Sequence, residues 1–405
     1  MNPNHLLGLV VAASIGASPS LYAENTITWE TLGNIYTTEA GNKYVQRFVV
    51  EADGPFDRLA FCAFKRGLKA ENAADTVIEL LPGYYAVASP RFAKARAGER
   101  IVVDLVTDGA LRNASFAPDG MHLVADGRPV SARNVFRPIT SSRVQYAVPS
   151  ADGTIADFMI YGPEAYAVND SLRSNVRPDA YMGIPTPKSV KMQGRLVKAP
   201  EIGQVKVKRI KDTRNDYYRA EIKGPELTVF TNSDVPDAIV ASLMRRIVDA
   251  TDSDGKVPAA VIEDWADYAY RGMMIDVARN FTSVEDMKKL ISLLARYGLN
   301  VLHFHVGDDE GWRVEIPELP ELTAVGSRRG YTETDDVDFL KQIYSGDGNP
   351  DSKDTPANGY YTVDEYIDLL KYARSLGVDV IPEFDSPGHS RAAIRAMEYR
   401  YRTTG

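Results

Sequence analysis

The sequence is nearly devoid of cysteine: Cys62 stands alone among 405 residues. That excludes an internal disulfide framework and any cysteine-rich zinc site. It also lacks an excess of positive charge. Forty-seven Lys and Arg face 55 Asp and Glu, a formal net charge of −8. Such a balance argues against nucleic acid as the main partner and against a generally basic membrane-surface protein. Beyond the N-terminus no stretch holds the roughly 18 consecutive apolar residues of a membrane span, so no internal span is expected. What is present is an ordinary globular composition, 44% hydrophobic and 25% charged. It supplies enough apolar material for sizeable cores, and the length suggests about two to three domains.

Residues 1–23 contain no Lys, Arg, Asp or Glu, and Leu6 to Ala17 form an apolar run broken only by Gly and Ser. With Ser20-Leu21-Tyr22-Ala23 as a cleavage region, this reads as a signal peptide of an exported protein, periplasmic or secreted. The run is too short for a membrane anchor. Cys62 lies far from the cleavage region, so a lipid-anchored cysteine is not supported.

Residues 24–165 read as many short strands. Phe48-Val49-Val50, Leu59-Ala60-Phe61, Tyr84 to Val87 and Ile101 to Leu105 are separated by Gly, Pro, Asp and Asn. The pattern predicts an N-terminal β-sandwich. Phe48, Phe61, Tyr84, Tyr85 and Phe92 are present, most of them expected in the core; sugar binding is one reading of this unit, and a packing and spacer module is the other. Residues 166–183, rich in Asn, Ser, Arg and Pro, read as a linker. A small α+β domain is expected over 184–267. Val205 and Val207 share one face of a strand there. Val235 to Ala250 forms a helix, with Ile239, Leu243, Ile247 and Val248 near one face. The basic run from Lys188 to Lys211 reads as a solvated strand face.

From residue 268 the pattern changes. Tyr270 to Asp276 reads as a buried strand. Ser283 with Asp286 opens a helix that Gly298 closes. Val301 to Val306 is a second strand and a long polar loop follows it. Thr362 with Glu365 opens another helix, closed by Gly377, and Val378 to Phe384 is a third strand. This alternation means βα units and a parallel sheet.

In such folds ligands bind at the carboxyl ends of strands. Asp276 and Arg279 follow the first strand, Asp308, Asp309, Glu310 and Arg313 the second, and Glu383, Asp385 and His389 mark the third. Each alone reads equally as an ion pair or a loop cap; three successive strands delivering charge to one face points to a site. Carboxylates with Arg and His suit a neutral polar ligand such as a sugar. No metal or other cofactor is expected. His303 and His305 alternate on their strand, as residues packed inside a barrel would. Trp312 suits either a sugar ring or a loop anchor.

The segments Tyr270-Arg-Gly-Met-Met-Ile-Asp-Val-Ala-Arg279, Asn300-Val-Leu-His-Phe-His-Val-Gly-Asp308-Asp309-Glu-Gly-Trp-Arg313 and Ile381-Pro-Glu-Phe-Asp-Ser-Pro-Gly-His389 resemble three successive strand motifs of glycoside hydrolase family 20, the β-N-acetylhexosaminidases. The resemblance is strong over 268–405, moderate over 184–267 and weak over 24–165. It implies that 268–405 is the N-terminal part of a (β/α)₈ TIM barrel. It implies glycans ending in N-acetylglucosamine or N-acetylgalactosamine as partners. Arg279 and Asp308 would bind substrate, Arg279 gripping hydroxyls of the terminal sugar. Asp308 with His389 would form a polar network beneath the general acid, supported by Asp309, Glu383 and Asp385. Asn280 stands where His is frequent in the family, and Glu310 where Gln is.

The implied mechanism is substrate-assisted retention. The 2-acetamido oxygen attacks the anomeric carbon, an Asp orients it, and the adjacent Glu protonates the leaving oxygen. In the family that pair sits in an H-x-G-G-D-E motif after the fourth strand. His305-Val-Gly-Asp308-Asp309-Glu310 imitates the motif but directly follows the second strand and runs into Gly311-Trp312-Arg313. No catalytic pair is therefore assigned; the general-acid Glu and its neighbouring Asp are expected beyond Gly405. A closed barrel typically needs about 250 residues, more than follow residue 268, so a partial barrel is expected. The alternatives are a non-catalytic glycan-binding protein and an enzyme using Asp309 and Glu310 as its pair.

Overall fold

The computed structural model describes residues 25–34, 44–63, 67–108, 117–137, 147–149, 155–157 and 180–405. The expected signal peptide and most of the expected linker lie outside them. The chain divides into two compact units, one built from the N-terminal strands apart from Leu80–Tyr84, and one from residue 146 onward together with Leu80–Tyr84.

The first unit holds ten strands: β1 Thr26–Asn34, β2 Tyr44–Ala52, β3 Arg58–Cys62, β4 Leu68–Ala70, β5 Thr76–Leu81, β6 Tyr84–Ala88, β7 Glu99–Thr107, β8 Asp119–Ala125, β9 Arg128–Val130 and β10 Arg133–Phe136. They form two five-stranded sheets, ordered β10-β1-β2-β7-β4 and β5-β6-β3-β8-β9. Alternating residues such as Phe48, Val50, Ile101, Val103 and Leu105 share one core with Phe61, Val87 and Leu123. Phe48, Phe61, Tyr85 and Phe92 are buried in that core, as expected for most of the aromatics, and these four offer no ring face to a ligand.

After a short hairpin of β11 Ala147–Pro149 and β12 Ile155–Asp157 comes a sheet with β13 Ser189–Lys198, β14 Val205–Arg209, β15 Asn215–Ile222, β16 Leu227–Thr231 and β17 Lys256–Ala266, ordered β13-β17-β15-β16-β14. Helix α1, Pro236–Ala250, buries Val240, Leu243 and Ile247 against Ala220, Ile222, Val229 and Ile262. Val248, expected on this inner face, is instead exposed. It follows Ile247 by one residue, a rotation of about 100° that carries it past the apolar stripe. The basic run is a surface of ion pairs, including Lys188–Asp267 at 2.6 Å and Lys206–Glu226 at 2.8 Å. The boundary expected at residue 267 falls within the second unit, where Arg271 donates to Asp216 at 2.8 Å.

The remaining elements are β18 Gly272–Asp276, α2 Val284–Arg296, β19 Val301–Asp308, β20 Gly311–Trp312, α3 Glu321–Ala324, β21 Arg329–Gly330, β22 Leu340–Lys341, α4 Val363–Ser375, β23 Asp379–Phe384 and α5 Arg391–Thr404. β19 pairs in parallel with β18 on one side and β23 on the other. Ser283 caps α2 by accepting from the Asp286 N–H, and Thr362 and Glu365 make a reciprocal capping box on α4. Gly298 and Gly377 end these helices at φ 74° and 72°, left-handed values that glycine adopts freely. Helices α2 and α4 cover one face of the sheet, packing Met287, Ile291, Leu294 and Leu369 on Leu302, Phe304 and Val306.

One expectation differs here. The first strand is not buried: Met273 and Met274 are exposed, as are Ile381 and Phe384 on β23. Among the described residues each of these strands pairs on one side only and the sheet is covered on one face only. The long polar loop after β19 encloses the buried polar residues Thr323, Ser327, Arg329, Gln342 and Ser345.

Candidate active site

Parallel register sets the base of the site. Asp276 pairs with His305, and His305 with Glu383. Side chains alternate across a strand, so these three form a row on the face opposite the helices. Glu383 Oε1 lies 3.1 Å from His305 Nδ1, and its other oxygen lies 2.5 Å from His303 Nε2. The loops at the carboxyl ends then add Arg279, Asp308, Glu310 and His389 above the row.

Arg279 is the hub. Its Nη1 donates to Asp276 Oδ2 at 2.9 Å, its Nη2 lies 2.7 Å from Asp308 Oδ2, and its Nε donates to Glu310 Oε2 at 2.9 Å. Asp276 also fixes the turn, accepting the Ala278 and Arg279 N–H groups on its second oxygen. Asp308, the last residue of β19, has a fully buried side chain. It meets His305 Nε2 at 2.7 Å and His389 Nδ1 at 3.0 Å, and accepts the Asp309 N–H at 2.6 Å. His389 sits at φ 54°, a left-handed value uncommon for a side-chain-bearing residue. The turn that holds it is pinned where Ser390 Oγ donates to the Asp385 carbonyl at 3.0 Å. Asp309 accepts the Arg391 N–H at 2.9 Å and ties the loop to α5.

The charges shift one another in opposite senses. Burial pushes the Asp308 carboxyl up, but the Asp309 N–H, His305, Glu310 and Arg279 outweigh it and hold Asp308 below its ordinary value. Burial pushes Glu310 up, and the hydrogen bond to Asp308 adds to that against the pull of Arg279. Burial draws His305 down, yet its bond to Asp308 and the charges of Glu383 and Asp276 leave it raised. Glu383 is held low mainly by His305, against its own desolvation.

Donor atoms of Asp308, Asp309 and His389, and of His305, Glu383 and Asp385, come within 4.8 Å of one another. Asp308 and His389 already bond each other, and the Arg279 guanidinium between the carboxylates supplies their positive charge. The arrangement is a fixed cradle of donors and acceptors suited to an uncharged polyhydroxylated ligand.

All six residues singled out from the sequence, Arg279, Asp308, Asp309, Glu383, Asp385 and His389, lie on this carboxyl-end face. Asp276, His305 and Glu310 belong with them although their place in the cradle was not assigned. The Asp276–Arg279 spacing just past a strand, and the His-x-His alternation facing Glu383, were the available signals.

Arg313 does not reach the site. It is fully buried and donates to five main-chain carbonyls, those of Val277, Ala278, Ser327, Ala357 and Gly359, at 2.9–3.2 Å. It stitches the end of β18 to the buried loop. Arg329, also buried, donates to the Arg279 carbonyl at 2.7 Å. Trp312 donates its indole N–H to the Val314 carbonyl at 2.7 Å and packs on Phe384, ring centres 4.9 Å apart.

Residues 268–404 match the family model of the glycosyl hydrolase family 20 catalytic domain. An N,N'-diacetylchitobiase of Vibrio harveyi is 38% identical over 184 residues, 45% of this chain and 20% of that protein. A beta-hexosaminidase B of Pseudoalteromonas piscicida is 45% identical over 150 residues, 37% of this chain and 19% of that protein. The chain thus matches about a fifth of the length of these curated relatives. The crystal structure of a family 20 exo-β-N-acetylglucosaminidase from Vibrio harveyi, in complex with N-acetylglucosamine, superposes with a TM-score of 0.64 at 21% identity. It covers 93% of this chain and 60% of that one. At that identity the likeness speaks to the fold.

Proposed function

We propose that this chain, whose residues 268–404 match the glycosyl hydrolase family 20 catalytic domain, is part of a β-N-acetylhexosaminidase that releases terminal N-acetylhexosamine from β-linked glycans or chitooligosaccharides. One observation carries the proposal: in the segment that matches the family, the Arg279 fork is fixed by Asp276, Asp308 and Glu310 at the carboxyl ends of parallel strands, with His389 on Asp308. In this reading Arg279 holds hydroxyls of the terminal sugar, and Asp308 with His389 supports the acid that protonates the leaving oxygen. The name of the chitobiase relative and the N-acetylglucosamine in the structural neighbour agree with that substrate class.

The chemistry is substrate-assisted retention, in which the 2-acetamido oxygen replaces an enzyme nucleophile. It needs an Asp–Glu pair, and the sequence holds no H-x-G-G-D-E motif. Asp309 and Glu310 are poorly suited to the part. Glu310 is nearly buried and engaged by Arg279, and Asp309 is held by the Arg391 N–H. The reading therefore assigns to these 405 residues the binding and orientation of the sugar, and assigns them no acid–base pair. Export through the apolar N-terminal run belongs to the same proposal.

Calorimetric titration of N-acetylglucosamine against the 405-residue protein tests it. Saturable heat that Arg279→Ala abolishes and that glucose does not reproduce is expected. Equal heats with glucose, or indifference to Arg279→Ala, would sink the reading.

A further inference from the structure

We infer that Tyr344 is a sugar-contacting residue of the cradle: a strained turn after β22 holds its phenol beside Arg279, where the ring takes one face of the bound sugar and the hydroxyl bonds a sugar hydroxyl. The inference rests on the sugar-binding reading and adds to it a residue outside the three strand motifs.

Backbone conformation singles the residue out. Among the described non-glycine residues from 268 onward, two have positive φ, His389 at 54° and Tyr344 at 60°. His389 already stands on Asp308. A bulky aromatic in the left-handed region is a true outlier, and it persists only where its surroundings over-determine it. They do so here. Gln342, fully buried, donates its N–H to the Gly330 carbonyl at 2.9 Å and accepts the Gly348 N–H on Oε1 at 2.7 Å. On the other side Ser345 is buried and its hydroxyl donates to Asn280 Oδ1.

The same contacts fix where the turn sits. Arg329 Nη2 donates both to the Ser345 carbonyl at 3.4 Å and to the Arg279 carbonyl at 2.7 Å. The backbone of the turn is thereby clamped to that of the residue whose guanidinium is the hub of the cradle. Between the buried Gln342 and Ser345, Tyr344 is the exposed position, at 38%. The charges that act on its hydroxyl are those of the cradle. Burial, then Glu310, Asp308 and Asp276, push the phenol up against the pull of Arg279. The hydroxyl therefore keeps its proton and can donate as well as accept.

The side chain accounts for the strain. Glycine adopts φ near 60° freely, so a turn needed only for the path of the loop would call for glycine. Arg279, Asp308, Glu310 and His389 offer hydroxyl partners, whereas a pyranose also presents C–H faces that suit an apolar ring. Tyrosine supplies an apolar body and a polar tip together.

The test uses the 405-residue protein. N-acetylglucosamine is titrated into wild type, Tyr344→Phe, Tyr344→Gly and Arg279→Ala. Nitration of Tyr344 by tetranitromethane is read by peptide mass spectrometry with and without the sugar. Tyr344→Phe should lose about fivefold in affinity, the scale of one neutral hydrogen bond. Tyr344→Gly should lose about thirtyfold, since the ring contact goes as well. Saturating sugar should protect Tyr344 from nitration. Hydrogen exchange across 340–348 should be as slow in Tyr344→Gly as in wild type, because glycine accepts the turn. Wild-type affinity in Tyr344→Gly, or nitration indifferent to the sugar, overturns the proposal, while a titration that still depends on Arg279 leaves the sugar-binding reading standing. Faster exchange across 340–348 in Tyr344→Gly, or failure of that variant to fold, makes Tyr344 a turn residue and overturns the proposal as well. A wild type that does not bind the sugar overturns both.

Discussion

Replacing Arg313 by methionine removes the donors that hold the buried loop while keeping a side chain of similar length. The carbonyls of Val277, Ala278, Ala357 and Gly359 lose the donor that Arg313 supplies, while that of Ser327 keeps the Gly359 N–H at 3.1 Å. An orphaned buried acceptor costs about 1 kcal/mol or more, giving roughly 4 kcal/mol for the set. Part of this is offset. Burial, reinforced by the neighbouring Arg329, presses the Arg313 guanidinium well below its ordinary value, and the variant no longer desolvates that charge. A net loss of about 3 kcal/mol is expected, concentrated in the second unit rather than spread over the chain. A single melting temperature is the wrong observable for a chain of more than one unit. Hydrogen exchange read by peptide is the better one. Exchange between residues 313 and 361 should accelerate about a hundredfold, while peptides of β2 and β7 keep their protection. Arg313→Lys, with one nitrogen for five carbonyls, should recover only a small part. If Arg313→Met exchanges at the wild-type rate across 313–361, those carbonyls are satisfied without it and the stitching argument fails.

Three further outcomes are expected. His305 has a raised pKa, so its contribution to stability is complete below its unfolded value of about 6.5 and is lost as pH rises through the folded value. The stability advantage of wild type over His305→Gln, followed by denaturant unfolding, should shrink from pH 6 to pH 9, and parallel curves would refute this. Thr362→Ala breaks the capping box on α4 and should cost about 1 kcal/mol, visible as faster exchange in 363–366. Asp308→Asn removes the buried charge facing Arg279, His305 and His389. It should cost about 3 kcal/mol in local stability, read as faster hydrogen exchange in peptides of β19, and unchanged exchange there would contradict the network.

Much of this was legible because it rests on local rules. Ser283 with Asp286 and Thr362 with Glu365 open helices where the cap pattern places them, and Gly298 and Gly377 close them. Arg279, Asp308 and His389 stand out because charged residues directly after apolar strands have few structural reasons to be there. The remainder depends on distant partners. Arg313 follows an Asp-Asp-Glu run and reads as a site residue; only the path of the loop brings the Ala357 and Gly359 carbonyls onto it. Met274 and Ile381 read as buried because strand composition records a residue's apolar character, while exposure depends on what packs against that face. Val248 shows the limit of periodicity, since one residue of helix separates the packed Ile247 from solvent.

The central claim is that the Arg279 cradle holds the sugar in a β-N-acetylhexosaminidase. Its most direct test is turnover of a chromogenic N-acetyl-β-glucosaminide by the 405-residue chain fused to a segment that carries an H-x-G-G-D-E motif. The account predicts turnover that falls at least about a hundredfold in Arg279→Ala, the scale of about 3 kcal/mol for a charged group bonded to the transition state. Turnover indifferent to Arg279→Ala, or none from a folded protein that contains an H-x-G-G-D-E motif, would contradict it.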